Sequence, residues 1–250
     1  MASIRGVDGV EFDSATAEVI RRSTWITSVS SDSLKRAITV RDISECSSVI
    51  PNSIDLTQFA TPWRPTQTNS GVVGTVATFR PKKNIALLIR AYSRLPVDIR
   101  KQLLLVGDAY YGNEISADGL TNLTAVIEEV GITTEVEITG YVDREFLSEY
   151  HHRMRVFVLS SDHEGMPNSL LEAAASGVPI VSTAVDGVKD IFTNSKDALL
   201  VEPANLGQLS EAIQEVLTHE HLACQLSNGA RATVAKLTLQ AELQKYIELY

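Results

Sequence analysis

Residues 162–172 have the sequence D-H-E-G-M-P-N-S-L-L-E and follow a four-residue apolar run at residues 156–159. Such a run is typical of a strand that is buried on both faces of a sheet. From Ser169 onward apolar residues recur at helical spacing, which predicts a helix whose N-cap is Asn168 or Ser169. The order of strand, loop and helix is the repeating unit of a parallel sheet that is flanked by helices.

The loop at residues 161–168 is predicted to lie in a ligand-binding crevice. In a parallel sheet the carboxyl ends of the strands face the crevice, and a helix start offers backbone N–H groups that suit a phosphate. Glu164 lies on this loop, and Glu172 lies on the first turn of the predicted helix. Two carboxylates from different elements could therefore accept hydrogen bonds from one polyhydroxylated ligand.

The same alternation of strands and helices extends through most of the chain. Strand candidates occur at residues 71–78, 102–106, 135–139, 155–159, 179–182 and 198–201. Between and after them, helix candidates carry apolar residues on one face, at residues 83–94, 118–131, 206–217 and 237–250. This pattern predicts an α/β domain of Rossmann-like type, with a parallel sheet of about six strands flanked by helices.

The first part of the chain has a different organisation. Residues 1–50 give two strand-like pieces and two helix candidates, which would leave a sheet edge unpaired and an apolar face exposed. We therefore interpret residues 1–50 as the remnant of a larger domain. Residues 51–70 are interpreted as a linker, 71–220 as the ligand-binding domain and 221–250 as C-terminal helices.

Composition excludes several classes of protein. The chain has 250 residues, of which 44% are hydrophobic, and this places it in the globular class. Its net charge of −9 argues against nucleic-acid binding, which relies on clustered Lys and Arg. It begins without the apolar run of a signal peptide and contains no stretch as long as a membrane span. We expect a protein of the cytoplasm, either free or peripheral to the inner face of the membrane.

Several possible motifs are rejected on their residue types. Residues 107–114 lack the Lys and Ser/Thr of a phosphate-binding P-loop, and residues 71–74 lack the third glycine of a dinucleotide fingerprint. His151 and His152 are adjacent on a predicted helix, so they point to different sides and are expected to be solvated. The acidic and histidine side chains at residues 162–164 rarely converge on one ion when they are consecutive, so we predict no metal.

A basic segment follows the strand predicted at residues 71–78. Arg80, Lys82 and Lys83 lie at the start of the next predicted helix, where cations are disfavoured by the helix dipole. Three cations at such a place indicate an anion nearby, and they could neutralise a diphosphate. The segment is predicted to face the same crevice as Glu164.

Taken together, these residues resemble the retaining glycosyltransferases of the GT-B fold, specifically glycosyltransferase family 4. Residues 164–172 are similar to the family motif E-x-x-x-x-x-x-x-E in its E-G-M-P-N form. Further similarities occur in order along the chain, at residues 49–55 (the interdomain P-N-G-[IV]-D), 79–84 (the basic loop), 105–108, 139–141 and 177–183. The resemblance implies a GT-B C-terminal domain that binds the donor, a nucleotide diphosphate sugar.

The resemblance also assigns roles to individual residues. It implies that Glu164 is the catalytic residue at the sugar, that Glu172 binds the ribose, and that Lys83 and an arginine bind the diphosphate. The base is expected at Tyr141 and Val142. The donor-binding residues implied in this way are Arg80, Lys83, Tyr141, Val142, Gly165, Met166, Pro167, Asn168, Ser169, Leu171 and Glu172. No metal or other cofactor is implied, and a UDP-sugar is favoured over a GDP-sugar.

The chain departs from the family pattern at several positions. Thr78 stands where many members have Arg, so the role of that arginine moves to Arg80 or is lost. Residues 186–187 read D-G in place of G-G, and Asp190 stands in place of a glutamate. Residues 5–8 read R-G-V-D where the family often has H-G-x-D, whose histidine serves at the acceptor side.

The implied reaction is transfer of a sugar, with retained configuration, to a saccharide or lipid-linked acceptor. Family members usually have a whole acceptor domain before this point, so a separate chain is a candidate partner and the isolated chain is expected to be inactive or partial. A non-catalytic module that binds a nucleotide sugar or a partner chain is the alternative. A nucleotide-sugar epimerase of the same fold would need an acid–base set that the sequence does not contain.

Overall fold

The computed structural model describes residues 1–4, 13–42, 44–59, 61, 63–108 and 115–249, with the side chains of residues 115–119 excepted. The segment at residues 5–8 and most of the loop at residues 107–114, both interpreted above, lie outside these ranges. The described residues form two parallel sheets and the helices that flank them.

The N-terminal unit contains β1 (Ala2–Ile4), α1 (Ser14–Arg22), β2 (Ile26–Ser28), α2 (Ser31–Val40) and β3 (Ser47–Val49). Its strands form a parallel sheet in the order β1-β2-β3, so the unit has one strand more than the two that the sequence predicted. The third strand, S-S-V, carries a single apolar residue, which explains why its pattern was not recognised. A small cluster of buried residues joins the sheet to both helices, namely Ile4, Ile20, Ile26 and Ala37.

The second unit follows the predicted alternation. Its elements are β4 (Val72–Val76), α3 (Ile85–Ser93), β5 (Gln102–Val106), α4 (Ile115–Glu129), β6 (Val136–Ile138), α5 (Leu147–Arg153), β7 (Val156–Leu159), α6 (Asn168–Ser176), β8 (Ile180–Thr183), α7 (Asp186–Lys189), β9 (Leu199–Val201), α8 (Leu206–Thr218), α9 (Glu220–Val234) and α10 (Leu239–Ile247). The predicted parallel sheet of six strands is confirmed. Its core is made by continuous apolar runs, such as residues 103–106, whose side chains are fully buried.

The strand order of the large sheet is β6-β5-β4-β7-β8-β9. The chain runs outward from β4 in one direction, to β6, and then returns to continue from β7 on the other side of β4. In doubly wound sheets the ligand-binding crevice lies where the order reverses, at the carboxyl ends of the strands. The topology therefore places the crevice next to the ends of β4 and β7.

The segment between the two sheets packs against the second unit along much of its length. Its turn at Leu56–Phe59 buries Phe59, and Trp63 donates from Nε1 to the Met154 carbonyl at 2.8 Å. The backbone N–H of Ile54 donates to the Leu237 carbonyl at 2.8 Å. Residues 51–70 thus connect the units, and Ile54, Phe59 and Trp63 within them belong to the core of the second unit.

The expectation that both histidines of α5 are solvated is wrong. His151 is fully buried between Phe59 and Phe157, with ring centroids 6.1 and 6.0 Å apart. Burial, and then the nearby His152, lower the pKa of His151 to about 3, so the ring is neutral. His152 points elsewhere, as predicted, and its Nε2 contacts the Thr61 carbonyl at 2.8 Å. The sequence around His151 could not reveal its burial, because one of the rings that cover it, Phe59, comes from a distant segment of the chain.

Across the described residues, no helix combines the length and the apolar character that crossing a bilayer requires.

Candidate functional site

A cavity of about 710 Å³ opens at the carboxyl ends of the central strands. Its lining comes from the end of β4, the end of β5, the segment after β6 and the start of α6: residues 76–78, Lys83, residues 106–108, Tyr141, Val142, Leu147, Asn168 and Ser169. Small-molecule and cofactor sites commonly have volumes of roughly 300–1,000 Å³. The cavity lies where the strand order predicts a crevice.

The cavity floor is formed by backbone that continues past the ends of β4 and β5. The N–H of Phe79 donates to the Asp108 carbonyl at 3.0 Å, so the two segments stay paired beyond the sheet. Gly107 has φ +135°, and a Cβ at this position would lie 1.9 Å from the Ala77 carbonyl oxygen. Only glycine fits there, because a side chain would push the two strand ends apart.

Glu164 and Lys83 meet at the crevice as an ion pair. The Lys83 Nζ lies 2.5 Å from Glu164 Oε1, and the two side chains are only 14% and 7% exposed. Ser161 donates from its hydroxyl to the same carboxylate oxygen at 2.7 Å. The predicted anionic loop and basic segment therefore converge, and each supplies one member of a partly desolvated pair.

Hydrogen bonds between the basic segment and the acidic loop hold this pair in place. The Asp162 N–H donates to the Lys82 carbonyl at 2.9 Å, and the Ser160 hydroxyl donates to the Lys83 carbonyl at 3.0 Å. Asn84 has a left-handed backbone (φ 45°) and caps α3, while its Nδ2 donates to Asp162 Oδ1 at 2.9 Å. The left-handed residue turns the chain from the segment Pro81–Lys83 into α3, which brings Lys83 toward Glu164.

Glu172 is buried on the second turn of α6, one turn later than predicted, because the helix begins at Asn168, and it pairs with Arg144. The Arg144 Nε lies 3.3 Å from Glu172 Oε1. Burial raises the pKa of Glu172, whereas the Arg144 guanidinium opposes this shift. Sequence reasoning did not identify Arg144, which lies in the short turn Arg144–Phe146 after β6. The available signal was a cation close behind Tyr141 and Val142.

The start of α6 differs from the prediction in one respect. The N-cap residue is Pro167, and the helix begins at Asn168 without a side-chain cap. Asn168 does not cap the helix because its Oδ1 accepts a hydrogen bond from Asn52 Nδ2 at 3.0 Å. The N–H groups of Leu170 and Leu171 donate to the Pro167 carbonyl at 3.1 and 3.4 Å.

The predicted donor-binding residues therefore divide into three groups. Lys83, Tyr141, Val142, Asn168 and Ser169 line the cavity, and Tyr141 is 67% exposed at its rim. The side chains of Met166, Pro167 and Leu171 are buried, so any part these residues take in binding falls to their backbone. Glu164, Gly165 and Glu172 lie on the loop and helix that adjoin the cavity. Arg80 is half-buried just before the segment Pro81–Lys83 and does not line the cavity, whereas Thr78 does.

Gly187, the glycine that is retained from the family's G-G pair, packs against the loop at residues 161–168, which carries Glu164. A Cβ on Gly187 would lie 1.6 Å from the Gly165 carbonyl oxygen and 3.0 Å from that of Glu164. The start of α7 is therefore in van der Waals contact with the loop that carries Glu164. This long-range packing could not be read from the sequence.

The N-terminal unit also reaches the crevice side of the large sheet. The Ser31 N–H, at the first residue of α2, donates to Asp190 Oδ2 at 2.6 Å. Two ion pairs lie beside this contact. Asp32 pairs with Arg36 on α2, and Asp186 pairs with Lys189 on α7. The two pairs face each other, since Asp32 lies within hydrogen-bonding reach of Asp186. Asp190 thus stabilises a helix start from the other unit, where a negative charge is favourable.

No group of three or more His, Cys, Asp or Glu residues is arranged to hold a metal ion in the part of the chain that the structure describes. Asp162 and Glu164 are instead engaged by Asn84 and Lys83. The absence of a metal requirement stays a prediction.

Comparison with protein families gives one match over most of the chain. The model described as glycosyl transferases group 1 matches residues 62–233. This span begins in the segment between the two sheets and ends within α9. It includes every residue of the cavity lining.

Among curated proteins, the chain is similar to 2-deoxystreptamine N-acetyl-D-glucosaminyltransferase of Niallia circulans, with 34% identity over 50% of this chain and 32% of the relative. It is also similar to the lipopolysaccharide core biosynthesis glycosyltransferase LpsE of Rhizobium meliloti, with 29% identity over 74% of this chain and 51% of the relative. In these two comparisons the matched part of the chain spans about a third to a half of the relative's length.

Solved structures support the fold. HepE of Anabaena, in complex with UDP-glucose, superposes with a TM-score of 0.85 at 19% identity, covering 98% of this chain and 71% of that chain. Sucrose-phosphate synthase of Thermosynechococcus elongatus superposes with a TM-score of 0.83 at 24% identity, covering 98% of this chain and 63% of that chain. The predicted fold class, that of GT-B glycosyltransferases, is confirmed.

Proposed function

The chain belongs to the glycosyl transferases group 1 family, and we propose that it is the donor-binding part of a retaining family 4 glycosyltransferase. It binds a nucleotide diphosphate sugar and takes part in transfer of the sugar to a saccharide or lipid-linked acceptor. One observation carries this proposal: Glu164, Lys83 and the start of α6, which come from different elements, converge beside a cavity of about 710 Å³. A cation and a helix start suit the diphosphate of such a ligand, and two carboxylates suit the hydroxyl groups of its two sugars.

The charges of the crevice suit a diphosphate without a metal ion. Lys83 carries three N–H donors and uses one toward Glu164, so its ammonium group retains donors for phosphate oxygens. The start of α6 adds the partial positive charge of a helix N-terminus at Asn168 and Ser169. Fixed cations and dipoles of this kind stabilise the leaving diphosphate in the transition state.

The carboxylates are suited to the two sugar rings of the donor. Glu164 is held by Lys83 and Ser161 on the loop, and we assign it to the hydroxyl groups of the transferred sugar. Glu172 lies buried on α6 and is assigned to the ribose hydroxyls, with the base against Tyr141 and Val142. We favour a UDP-sugar over a GDP-sugar, and we therefore choose UDP and UDP-glucose, the ligands with which the structural neighbour HepE was solved, as the first ligands to test.

The acceptor side of the proposal concerns the N-terminal unit. We assign residues 1–50 to part of an acceptor domain, whose remaining structure would come from a longer protein or a separate chain. Contact of Ser31 with Asp190 places this unit against the crevice side of the donor domain, which supports the assignment. The proposed location is the cytoplasm or the inner face of the membrane, where nucleotide sugars meet lipid-linked acceptors.

Calorimetry with UDP and with GDP, each with and without a chelator, tests donor binding. We expect UDP to bind with the same affinity in the presence of the chelator. Lys83→Met should weaken UDP by about tenfold or more, since hydrogen bonds to charged groups contribute roughly 1.5–3 kcal/mol. Lys236→Met, at an exposed position after α9, should leave the affinity unchanged. A strict requirement for magnesium would contradict the metal-free site.

A second candidate is a module that binds a nucleotide sugar or a partner chain and turns nothing over. The matches cover only 32% and 51% of two curated relatives, so the activity of those whole proteins does not by itself carry over to this chain. Incubation of the chain with a UDP-sugar and a simple saccharide acceptor separates the two. Product formation, by the chain alone or after addition of an N-terminal half, identifies the donor-binding part of a transferase. Binding of the UDP-sugar without product in both cases identifies the non-catalytic module.

A further inference from the structure

We propose that Asn52 is a positioning residue that fixes the orientation of the Asn168 amide, so that Asn168 donates a hydrogen bond to an oxygen of the nucleotide sugar. Asn52 lies in the segment between the two sheets, far from the cavity in sequence. It acts through Asn168 rather than on the ligand. The inference rests on the proposed function, because it concerns the same crevice.

Three contacts join Asn52 to the loop before α6. Its Nδ2 donates to Asn168 Oδ1 at 3.0 Å and to the Met166 carbonyl at 3.4 Å. Its backbone N–H approaches the Met166 sulfur at 2.9 Å. Asn52 therefore spans the turn that leads from the acidic loop into α6.

The direction of these hydrogen bonds is set by chemistry. The Met166 carbonyl only accepts, so the side chain of Asn52 must turn its NH₂ group toward the loop. Asn168 in turn must present its carbonyl oxygen to that NH₂ group, because two NH₂ groups facing each other at 3.0 Å would form no bond. The NH₂ group of Asn168 is then directed away from Asn52.

Asn168 lines the cavity, so this NH₂ group is the part of the amide that a ligand meets. The Met166 carbonyl thus fixes the orientation of the Asn52 amide, which in turn fixes the orientation of the Asn168 amide. A ligand atom at Asn168 is therefore an oxygen that accepts, from a phosphate or from a sugar hydroxyl. The opposite amide orientation would present an oxygen to the diphosphate and repel it.

Asn52 itself is held firmly by the residues that follow it. Ser53 donates from its hydroxyl and its N–H to Glu242 Oε2, at 2.5 and 3.2 Å. Ile54 donates from its N–H to the Leu237 carbonyl at 2.8 Å. Anchoring between α10 and the α6 loop supports the precise placement that an oriented donor requires.

Two substitutions of Asn52 with side chains of similar shape distinguish a role in orienting the Asn168 amide from a role in supporting the loop before α6. Asn52→Asp replaces the NH₂ group with an acceptor, which should turn the Asn168 amide and present its oxygen to the ligand. We expect this variant to lose UDP affinity by about 10- to 100-fold. Asn52→Leu removes the side-chain donors but imposes no orientation, so the ligand can still select the donating rotamer, and the expected loss is about two- to fivefold. A role in supporting the loop alone would make Leu at least as harmful as Asp.

The added charge of Asp is controlled by a double-mutant cycle with Asn168→Ala. In that background only long-range repulsion remains, so Asn52→Asp should weaken UDP by no more than about threefold. The cycle is measured by calorimetry with UDP and with UDP-glucose. Coupling already present with bare UDP places the accepted hydrogen bond on the nucleotide part of the ligand, whereas coupling seen only with UDP-glucose places it on the glucose.

Each result decides between the proposal and its rivals. Equal losses in both backgrounds, or a larger loss for Leu than for Asp, overturn the role of Asn52 while leaving the proposed function intact. If the wild-type chain binds neither UDP nor UDP-glucose, the proposed function fails and this inference fails with it. Should Asn52→Asp not fold, the comparison of Asn52→Leu in the two backgrounds decides, with a loss confined to the wild-type Asn168 background expected.

Discussion

Gly187 contacts the Gly165 carbonyl oxygen so closely that a methyl group on Gly187 would lie 1.6 Å from that oxygen. The position is therefore a sensitive probe of the acidic loop. Gly187→Ala should displace the loop, separate Glu164 from Lys83, and lower the free energy of unfolding by about 1–3 kcal/mol, as overpacking does. We expect UDP-glucose affinity to fall by about tenfold. Thermal melting and calorimetry measure the two effects.

The matched control for that substitution is Gly207→Ala on α8. A Cβ at Gly207 would meet only Asn205 Oδ1, at the ordinary contact distance of 3.7 Å. This variant should keep its ligand affinity and retain or slightly gain stability, because alanine is favoured over glycine in a helix. Equal affinities for both alanine variants would show that the contact of Gly187 with the loop does not matter for binding.

Glu172→Ala and Glu164→Ala should lose affinity for different ligands. A hydrogen bond to a charged group contributes roughly 1.5–3 kcal/mol, or about 10- to 150-fold in affinity. Loss of Glu172 should weaken bare UDP and UDP-glucose alike, whereas loss of Glu164 should spare bare UDP and weaken only UDP-glucose. Both dissociation constants are measured at fixed salt on folded variants. Equal losses for the two ligands in Glu164→Ala would move that residue away from the sugar.

Arg144→Gln should change how UDP binding depends on pH. Burial raises the pKa of Glu172, and Arg144 counteracts this rise. Without the guanidinium the pKa rises further, so the carboxylate takes up a proton, and loses an acceptor for ribose hydroxyls, at a higher pH. On acidification from about pH 8 to about pH 5, affinity should decline earlier in the variant. Superimposable pH profiles would remove Arg144 from this role.

His151→Leu should abolish one component of acid destabilisation. The folded pKa of about 3 lies below the ordinary value of 6.5, so the unfolded chain takes up the proton first as the pH falls. The stability contributed by the neutral ring is thus complete above pH 6.5 and is lost as the pH falls toward 3. Relative to the variant, the wild type should lose about 1.4 kcal/mol per pH unit within that window.

Denaturant unfolding of both proteins at several pH values measures this difference. Groups that titrate equally in the two proteins cancel, so the comparison isolates His151. Parallel stability profiles would mean that the ring is reached by solvent in the folded protein.

The large sheet was predictable because its strands are buried on both faces and therefore carry continuous apolar runs. The strand expected at residues 102–106 is observed as Gln102–Val106. Strand β3 of the N-terminal unit was missed because S-S-V lacks such a run. Local pattern thus determines the elements when burial is complete and fails when an edge strand is short and polar.

The candidate site was only partly predictable. The residues between Glu164 and Glu172 stand out by their type and spacing, and the basic segment does so by its charge. Asn52 lies within the similarity at residues 49–55, and Arg144 is a cation shortly after Tyr141 and Val142. Neither position indicates its contact, because the partners Asn168 and Glu172 are distant in sequence. The same reason explains the wrong N-cap, since the side chain of Asn168 is used by Asn52 instead of by its own helix.

The central place of β4 affects how the chain must assemble as it is synthesised. β4 pairs with β5 across residues 77–101, which contain α3, whereas its other edge pairs with β7, which follows only after β5 and β6. Closing the longer loop costs more chain entropy, and an open apolar edge can pair wrongly with another molecule. Until β7 has been synthesised, one edge of Val72–Val76 therefore has no strand to pair with, and we expect the nascent chain to be most prone to aggregation in this interval.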